Sequence, residues 1–182
     1  GSQISIVLDN NQATVQSGRS RFKLYVLPDA DFPDLSPPQD PNRFSIEAGV
    51  LTTLIDRTQF AISTEETRYY LNGIYLHVTE VAGVKRLVAT ATDGHRLARS
   101  TMPLPAGAED MPGIILPRKT VGEIRSLLKV AKAAVEFSVS KTKIQVAVDD
   151  TVMISKLIDG TFPDYGRVIP TGNNNRVELK RT

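Results

Sequence analysis

Residues 157–165 read Leu-Ile-Asp-Gly-Thr-Phe-Pro-Asp-Tyr, and residues 27–35 read Leu-Pro-Asp-Ala-Asp-Phe-Pro-Asp-Leu. The two stretches align without a gap at an offset of 130 residues, and alternating, strand-like residues precede each of them. A period this long indicates a repeated domain, because solenoid units repeat every ~20 to 50 residues. The alternative is that Phe-Pro-Asp is a common strand-ending turn that occurs here twice by chance.

The repeat predicts three parts of the chain. Residues 1–43 would be the C-terminal part of one domain with its linker, residues 44–170 a complete second domain, and residues 171–182 the start of a third. Within the complete domain, Ser45 is predicted to cap a first helix whose apolar residues run from Ile46 to Ile62 at three- and four-residue spacing. A second helix is predicted to enter at Pro117, with Val121, Ile124, Leu127 and Leu128 as its apolar stripe.

Alternating segments between and after these helices predict strands. They are residues 70–79, 85–92, 95–102, 113–116, 134–139, 143–148 and 152–158, each bounded by turn residues. Short connections favour antiparallel hairpins. The sequence therefore predicts an α+β fold in which two helices pack on antiparallel sheets.

Composition limits the function only loosely. Hydrophobic residues at 41% and charged residues at 23% are typical of a soluble globular protein. The absence of cysteine excludes disulfides, thiolate zinc sites and a cysteine nucleophile, and is compatible with a reducing cytoplasm. Apolar runs are too short to span a bilayer. A net charge of +2 permits a nucleic-acid partner without requiring one.

The segment Thr92-Asp93-Gly94-His95-Arg96 is the main candidate for catalysis, since it places an acid, an imidazole and a cation close together. However, Asp-Gly between two alternating apolar runs is a strong hairpin signal. The only other histidine is His77, and no spacing resembles a metal site, a phosphate loop or a nucleophile elbow. We therefore expect no catalytic residue, metal or cofactor, and a hydrolase or transferase using Asp93 and His95 is the minor alternative.

Two segments could contact DNA. The second helix carries five basic residues opposed by Glu123, and phosphates would bind such a row without regard to base sequence. These residues are Arg118, Lys119, Arg125, Lys129 and Lys132. The alternative is an ordinary solvated face. In Arg68-Tyr69-Tyr70 the rings could stack on bases, although tyrosines at a strand entrance commonly pack in the core.

Four motifs together resemble the bacterial replicative sliding clamp, the beta subunit of DNA polymerase III. They are Arg-Tyr-Tyr-Leu-Asn-Gly at 68–73, Ala-Thr-Asp-Gly-His-Arg-Leu-Ala at 91–98, Pro-Arg-Lys at 117–119 and Ser-Lys-Leu-Ile-Asp-Gly-Thr-Phe-Pro-Asp-Tyr at 155–165. The resemblance covers essentially the whole chain. It implies a subunit of three similar domains, of which this chain would hold the end of the first, the whole middle and the start of the third. Two full-length subunits would form a homodimeric ring around duplex DNA.

The resemblance also implies the site residues. A hydrophobic pocket for a linear peptide would include Arg68, Leu71, Thr92, Gly94, His95, Arg96, Leu97, Pro163, Arg167 and Val168. The DNA-facing residues would be Tyr69, Tyr70, Arg118, Lys119 and Arg125.

Implied partners are duplex DNA, the DNA polymerase III alpha subunit, the clamp loader and other proteins with a clamp-binding motif. The protein would be a non-catalytic processivity factor of the cytoplasm, associated with the nucleoid. As a fragment, it is expected to close no ring and to bind peptide weakly. The alternative is a monomeric, sequence-independent DNA-binding domain that uses its basic helix.

Overall fold

The computed structural model describes residues 3–31, 36–170, 172–173, 177–178 and 180. It divides into two compact units, Gly1–Ser36 and Pro37–Thr182. The end of the first repeat copy, residues 32–35, lies outside the described residues, as does most of 171–182. The repeated-domain interpretation and its boundaries therefore stay predictions.

The first unit contains a three-stranded antiparallel meander in the order β1-β2-β3. Its strands are β1 (Ser5–Asp9), β2 (Gln12–Ser17) and β3 (Ser20–Tyr25). Asn10 lies in the turn between β1 and β2 with a φ of 51°, a left-handed conformation that asparagine tolerates better than most residues.

The second unit contains two four-stranded antiparallel sheets and two helices. In chain order the elements are β4 (Asn42–Ile46), α1 (Ala48–Asp56), β5 (Gly73–Val81), β6 (Val84–Thr92), β7 (Leu97–Pro103), β8 (Ile114–Pro117), α2 (Arg118–Leu127), β9 (Val135–Val139), β10 (Lys143–Val148) and β11 (Thr151–Lys156). The sheet orders are β11-β10-β9-β4 and β7-β6-β5-β8. The predicted α+β fold with two helices on antiparallel sheet is confirmed.

The start of the first helix was predicted wrongly. Ser45 does not cap a helix but lies in β4, where it pairs with Glu136 of β9. Phe44 is buried beside it, and its ring stacks on Phe137 with 5.2 Å between centroids. Because this cross-strand packing holds the segment extended, α1 begins only at Ala48.

The main core lies where both helices meet the inner faces of the sheets. Helix α1 contributes Leu51, Leu54 and Ile55, and α2 contributes Val121 and Ile124. All five are at most 4% exposed. Burying each such side chain stabilises the fold by about 1.5–3 kcal/mol, so this core fixes the helices against the sheets.

The opposite face of the β7-β6-β5-β8 sheet carries a smaller cluster. Strand alternation turns Ile115 of β8 to this side, where it packs with Leu71 and Phe162. The segment after β11 lies across this face, and the backbone N–H of Ile158 donates to the carbonyl of Ile115 at 3.1 Å. The second copy of the repeated motif is thus fixed on the outside of the sheet.

Candidate functional site

A stack of aromatic rings anchors residues 162–165 to the sheet. The ring of Phe162 stacks on Tyr75 with 4.9 Å between centroids, and Tyr75 stacks on His77 with 4.2 Å between centroids. The hydroxyl of Tyr165 lies 2.8 Å from Nε2 of His77. Each ring pair contributes about 0.5–1.5 kcal/mol beyond burial, so the stack holds the intervening Pro163 and Asp164 over this face of the sheet.

His77 is buried within this stack, with 8% of its surface exposed. Burial lowers the pKa of its imidazole to about 4, and the positive charge of Arg99 acts in the same direction. His77 is therefore neutral at physiological pH. Its place in the ring stack makes it a structural contact of Tyr165 rather than a catalytic base.

The turn between β6 and β7 is organised by Asp93. Its Oδ1 accepts hydrogen bonds from the backbone N–H groups of His95 and Arg96, both at 3.0 Å, and its Oδ2 accepts from Nε of Arg96 at 3.0 Å. These bonds lower the pKa of Asp93 to about 2. The predicted hairpin is confirmed.

Arg68 joins this turn to the segment before β5. Its guanidinium donates to both carboxylate oxygens of Glu65, at 2.7 and 2.5 Å, and to the backbone carbonyl of Asp93 at 3.3 Å. A Cβ atom at position 94 would lie 2.6 Å from Nη1 of Arg68, and Gly94 has a φ of 90°. Position 94 therefore favours glycine for its backbone conformation, and a side chain there would also displace the guanidinium of Arg68.

A cavity of about 790 Å³ lies between the turn and the anchored motif. Nine of the ten residues predicted for the peptide pocket line it: Arg68, Leu71, Thr92, Gly94, His95, Arg96, Leu97, Pro163 and Val168. The tenth, Arg167, has a side chain that is 85% exposed and forms an ion pair with Asp164 at 2.9 Å. The structure thus brings together residues from three distant segments, while their role stays a prediction.

Six further residues line the cavity that were not predicted to do so. They are Tyr70, Arg99, Asp164, Tyr165, Ile169 and Pro170. Arg99 could have been found from strand alternation, because it lies two residues after Leu97 and so on the same face of β7. Tyr70, predicted to face DNA, lines this cavity and packs against the cluster of Leu71.

The basic helix α2 is less uniformly charged than its sequence indicates. Arg118 and Lys119 are exposed at its first turn, but Arg125 forms a two-point ion pair with Asp56 of α1, at 2.7 and 2.9 Å. Glu123 was predicted to be the only acidic residue opposing these cations. That prediction is wrong, because Asp56 of α1 pairs with Arg125. Tyr69, also predicted to face DNA, is 54% exposed.

Two features are absent from the described part of the chain. No group of three His, Cys, Asp or Glu side chains in it is placed to hold a metal ion. No helix there is long and apolar enough to span a bilayer.

Comparison with protein families shows to which family the chain belongs. Residues 45–164 match the model of the DNA polymerase III beta subunit, central domain. The chain belongs to this family. The matched residues hold both helices, both four-stranded sheets except the first residues of β4, and most of the cavity.

Individual beta subunits agree with this assignment. The beta sliding clamp of Caulobacter vibrioides is 50% identical over 165 residues, which cover 91% of this chain and 44% of that protein. The beta sliding clamp of Escherichia coli K12 is 38% identical over 180 residues, covering 98% of this chain and 47% of that protein. The chain thus spans less than half the length of these relatives.

Solved structures show the same fold. The sliding clamp of Bartonella birtlesii, bound to griselimycin, superimposes with a TM-score of 0.83 at 50% identity. The match covers 96% of this chain and 47% of that one. A Pseudomonas aeruginosa sliding clamp, solved with a ligand, gives a TM-score of 0.75 at 37% identity.

Proposed function

We propose that this chain is the central part of a ring-forming processivity factor. The full-length homodimer would encircle duplex DNA and tether the DNA polymerase III alpha subunit, the clamp loader and other proteins through a short peptide motif. The cavity between the β6–β7 turn and the anchored motif carries this proposal. The factor would act in the cytoplasm at the nucleoid and would have no catalytic activity of its own.

The cavity has the chemistry of a peptide site. Leu97 and Val168 leave apolar surface that an apolar side chain of a partner can cover, and this burial supplies the attraction, while Leu71 is a buried part of the same lining. Thr92 and Arg96 place polar groups at the rim, where they can bind the backbone of an extended peptide. Asp93 and Glu65 are already bonded to arginines, so these carboxylates organise the rim and are not available for proton transfer.

The proposed DNA contacts lie on a different element. Arg118 and Lys119 are exposed at the first turn of α2, and no ion pair is formed by either among the described residues. Contacts from such cations to phosphates depend on salt and not on base sequence, as a sliding ring requires. Arg125 would attract phosphates less than Arg118 and Lys119 do, because its charge is paired with Asp56.

Peptide binding tests the proposal. A fluorescent peptide carrying a Gln-Leu-Leu-Phe motif is titrated into the 182-residue chain, with anisotropy as the readout. We expect saturable binding, weakened at least tenfold by Leu97→Asp, because a carboxylate in the apolar lining must be desolvated without a partner. Pro163→Ala should weaken binding less, since it removes only a small apolar contact.

Lys85→Ala is the matched control. Lys85 is exposed at the opposite end of the long β5–β6 hairpin from the cavity, so its loss should leave the affinity unchanged. Binding that none of the cavity variants weakens would show that the peptide uses another surface. Absence of binding, with the chain folded, would refute the proposed tethering site in this chain.

A further inference from the structure

The cavity carries a positive charge that its own residues do not neutralise. Of its arginines, Arg68 is paired with Glu65 and Arg96 with Asp93, while its carboxylate Asp164 is paired with Arg167. Arg99 also lines the cavity, and among the described residues no ion pair to it is found.

The position of Arg99 is fixed from two sides. In the sheet it pairs with Thr90, which pairs with Tyr75, so the three residues form one row across β7, β6 and β5. Above this row the guanidinium carbon of Arg99 lies 6.0 Å from the centre of the Tyr165 ring. A cation over an aromatic face is attracted to it, so the side chain is directed toward the motif.

The surroundings of Arg99 favour an anionic ligand. Thr90 is fully buried in this row, and no carboxylate among the described residues forms an ion pair with Arg99. The imidazole of His77 is close enough for Arg99 to lower its pKa. The side chain of Arg99 is exposed, so its N–H groups are accessible and a carboxylate can bond to two of them.

We propose that Arg99 forms a cationic subsite of the cavity that binds an acidic side chain of the partner peptide. This inference rests on the proposed peptide-binding function and specifies the chemistry of its ligand. A peptide is favoured over a nucleic acid because the cavity is lined by Leu71, Leu97 and Val168 and also holds the carboxylate of Asp164. Apolar side chains of a peptide can cover this lining, whereas a chain of phosphates cannot, and the ion pair of Asp164 with Arg167 leaves Arg99 as the unpaired charge.

A charge-scanning experiment tests the subsite. Peptides of the Gln-Leu-Leu-Phe type are made with glutamate at each flanking and internal position in turn, each matched by a glutamine version. Binding to the wild-type chain, Arg99→Gln and Arg99→Lys is followed by NMR chemical shifts, which detect weak association. At one position the glutamate peptide should bind the wild-type chain roughly two- to fivefold more tightly than its glutamine counterpart at low salt.

The preference for the glutamate peptide over its glutamine counterpart should be lost in Arg99→Gln and be kept in part in Arg99→Lys. In the wild-type chain it should decrease as salt is added. Lys85→Gln, which removes one positive charge far from the cavity, should keep the full preference. A glutamate preference that survives Arg99→Gln, or no preference at any position, would overturn the subsite while leaving peptide binding intact. Failure of the neutral peptide to bind would instead overturn the proposed function, and the subsite with it.

Competition by a single-stranded oligonucleotide tests whether the anion at Arg99 is a phosphate. If the oligonucleotide displaced the peptide from the wild-type chain but not from Arg99→Gln, the anion at Arg99 would be a phosphate and the acidic-peptide assignment would be wrong. We expect displacement, if any, to be the same in both chains.

Discussion

His77 should make the stability of the fold depend on pH in a range where few buried groups titrate. Its pKa falls from 6.5 to about 4 on folding. Above pH 6.5 the imidazole is neutral in both states and contributes no pH dependence. Between pH 6.5 and 4 the unfolded chain binds a proton that the folded chain does not, so the free energy of unfolding falls as the pH is lowered.

The size of this effect follows from the pKa change. A difference of about 2.5 in pKa at 1.36 kcal/mol per pH unit gives at most about 3 kcal/mol lost between pH 6.5 and 4. His77→Phe keeps a ring in the stack but removes the titration. The variant should lose the hydrogen bond to Tyr165 yet show a flatter dependence of stability on pH.

Urea unfolding of the wild-type chain and of His77→Phe is measured by circular dichroism at about pH 7.5, 6.5, 5.5 and 4.5. It gives, for each protein, the slope of the free energy of unfolding against pH. All other residues are the same in both proteins, so the difference between the slopes isolates His77. An NMR titration of the His77 ring provides an independent value. Equal slopes, or a ring that titrates near 6.5 in the folded chain, would refute the argument that burial in the stack sets this pKa.

Three further experiments test other parts of the structure. Phe162→Ala should destabilise the second unit by about 3–5 kcal/mol in urea unfolding, because it leaves a cavity in the outer cluster, and should also weaken peptide binding. Gly94→Ala should lower the free energy of unfolding by about 1–2 kcal/mol because of the positive φ alone. Gly122 lies on the exposed side of α2 with open space around it, so Gly122→Ala should raise the free energy of unfolding by about 0.5–1 kcal/mol. A double-mutant cycle on Arg125 and Asp56 should give a coupling of less than about 1 kcal/mol that falls with salt, since both side chains are partly exposed.

Each of these expectations has an opposite outcome. A Phe162→Ala protein as stable as the wild type would mean that the motif is not anchored by this ring. Similar effects of alanine at 94 and 122 would show that the turn tolerates a side chain. A coupling between Arg125 and Asp56 that is insensitive to salt would indicate a pair shielded from solvent, which the exposure of the two side chains contradicts.

Sequence patterns predicted the elements whose signals are local. Helix α2 begins as expected after Pro117, and β10 has the predicted bounds of Lys143–Val148. The start of α1 was missed because Ser45 and Ile46 fit both a capped helix and an alternating strand. Only the stacking of Phe44 on Phe137, a residue far along the chain, decides between the two.

The candidate site was predicted through family resemblance and not through local pattern. The resemblance named nine of the residues that line the cavity, but it did not indicate how distant segments are joined. The pairing of Phe162 with Tyr75, and of Asp56 with Arg125, links residues separated by dozens of positions, and no periodicity signals it. Arg99 lies just past the motif at 91–98, and only the alternation of β7 indicates that it faces the cavity.

The aromatic stack lowers the entropic cost of binding a partner. One wall of the cavity is already held in place by Phe162, by Tyr165 and by the backbone bond from Ile158 to Ile115 before any partner arrives. Ordering a loose loop on binding would consume about 1–2 kcal/mol of backbone entropy for each residue fixed. Because the wall is preorganised, a short peptide that gives up its own freedom can bind with few contacts, and it can dissociate without unfolding its receptor.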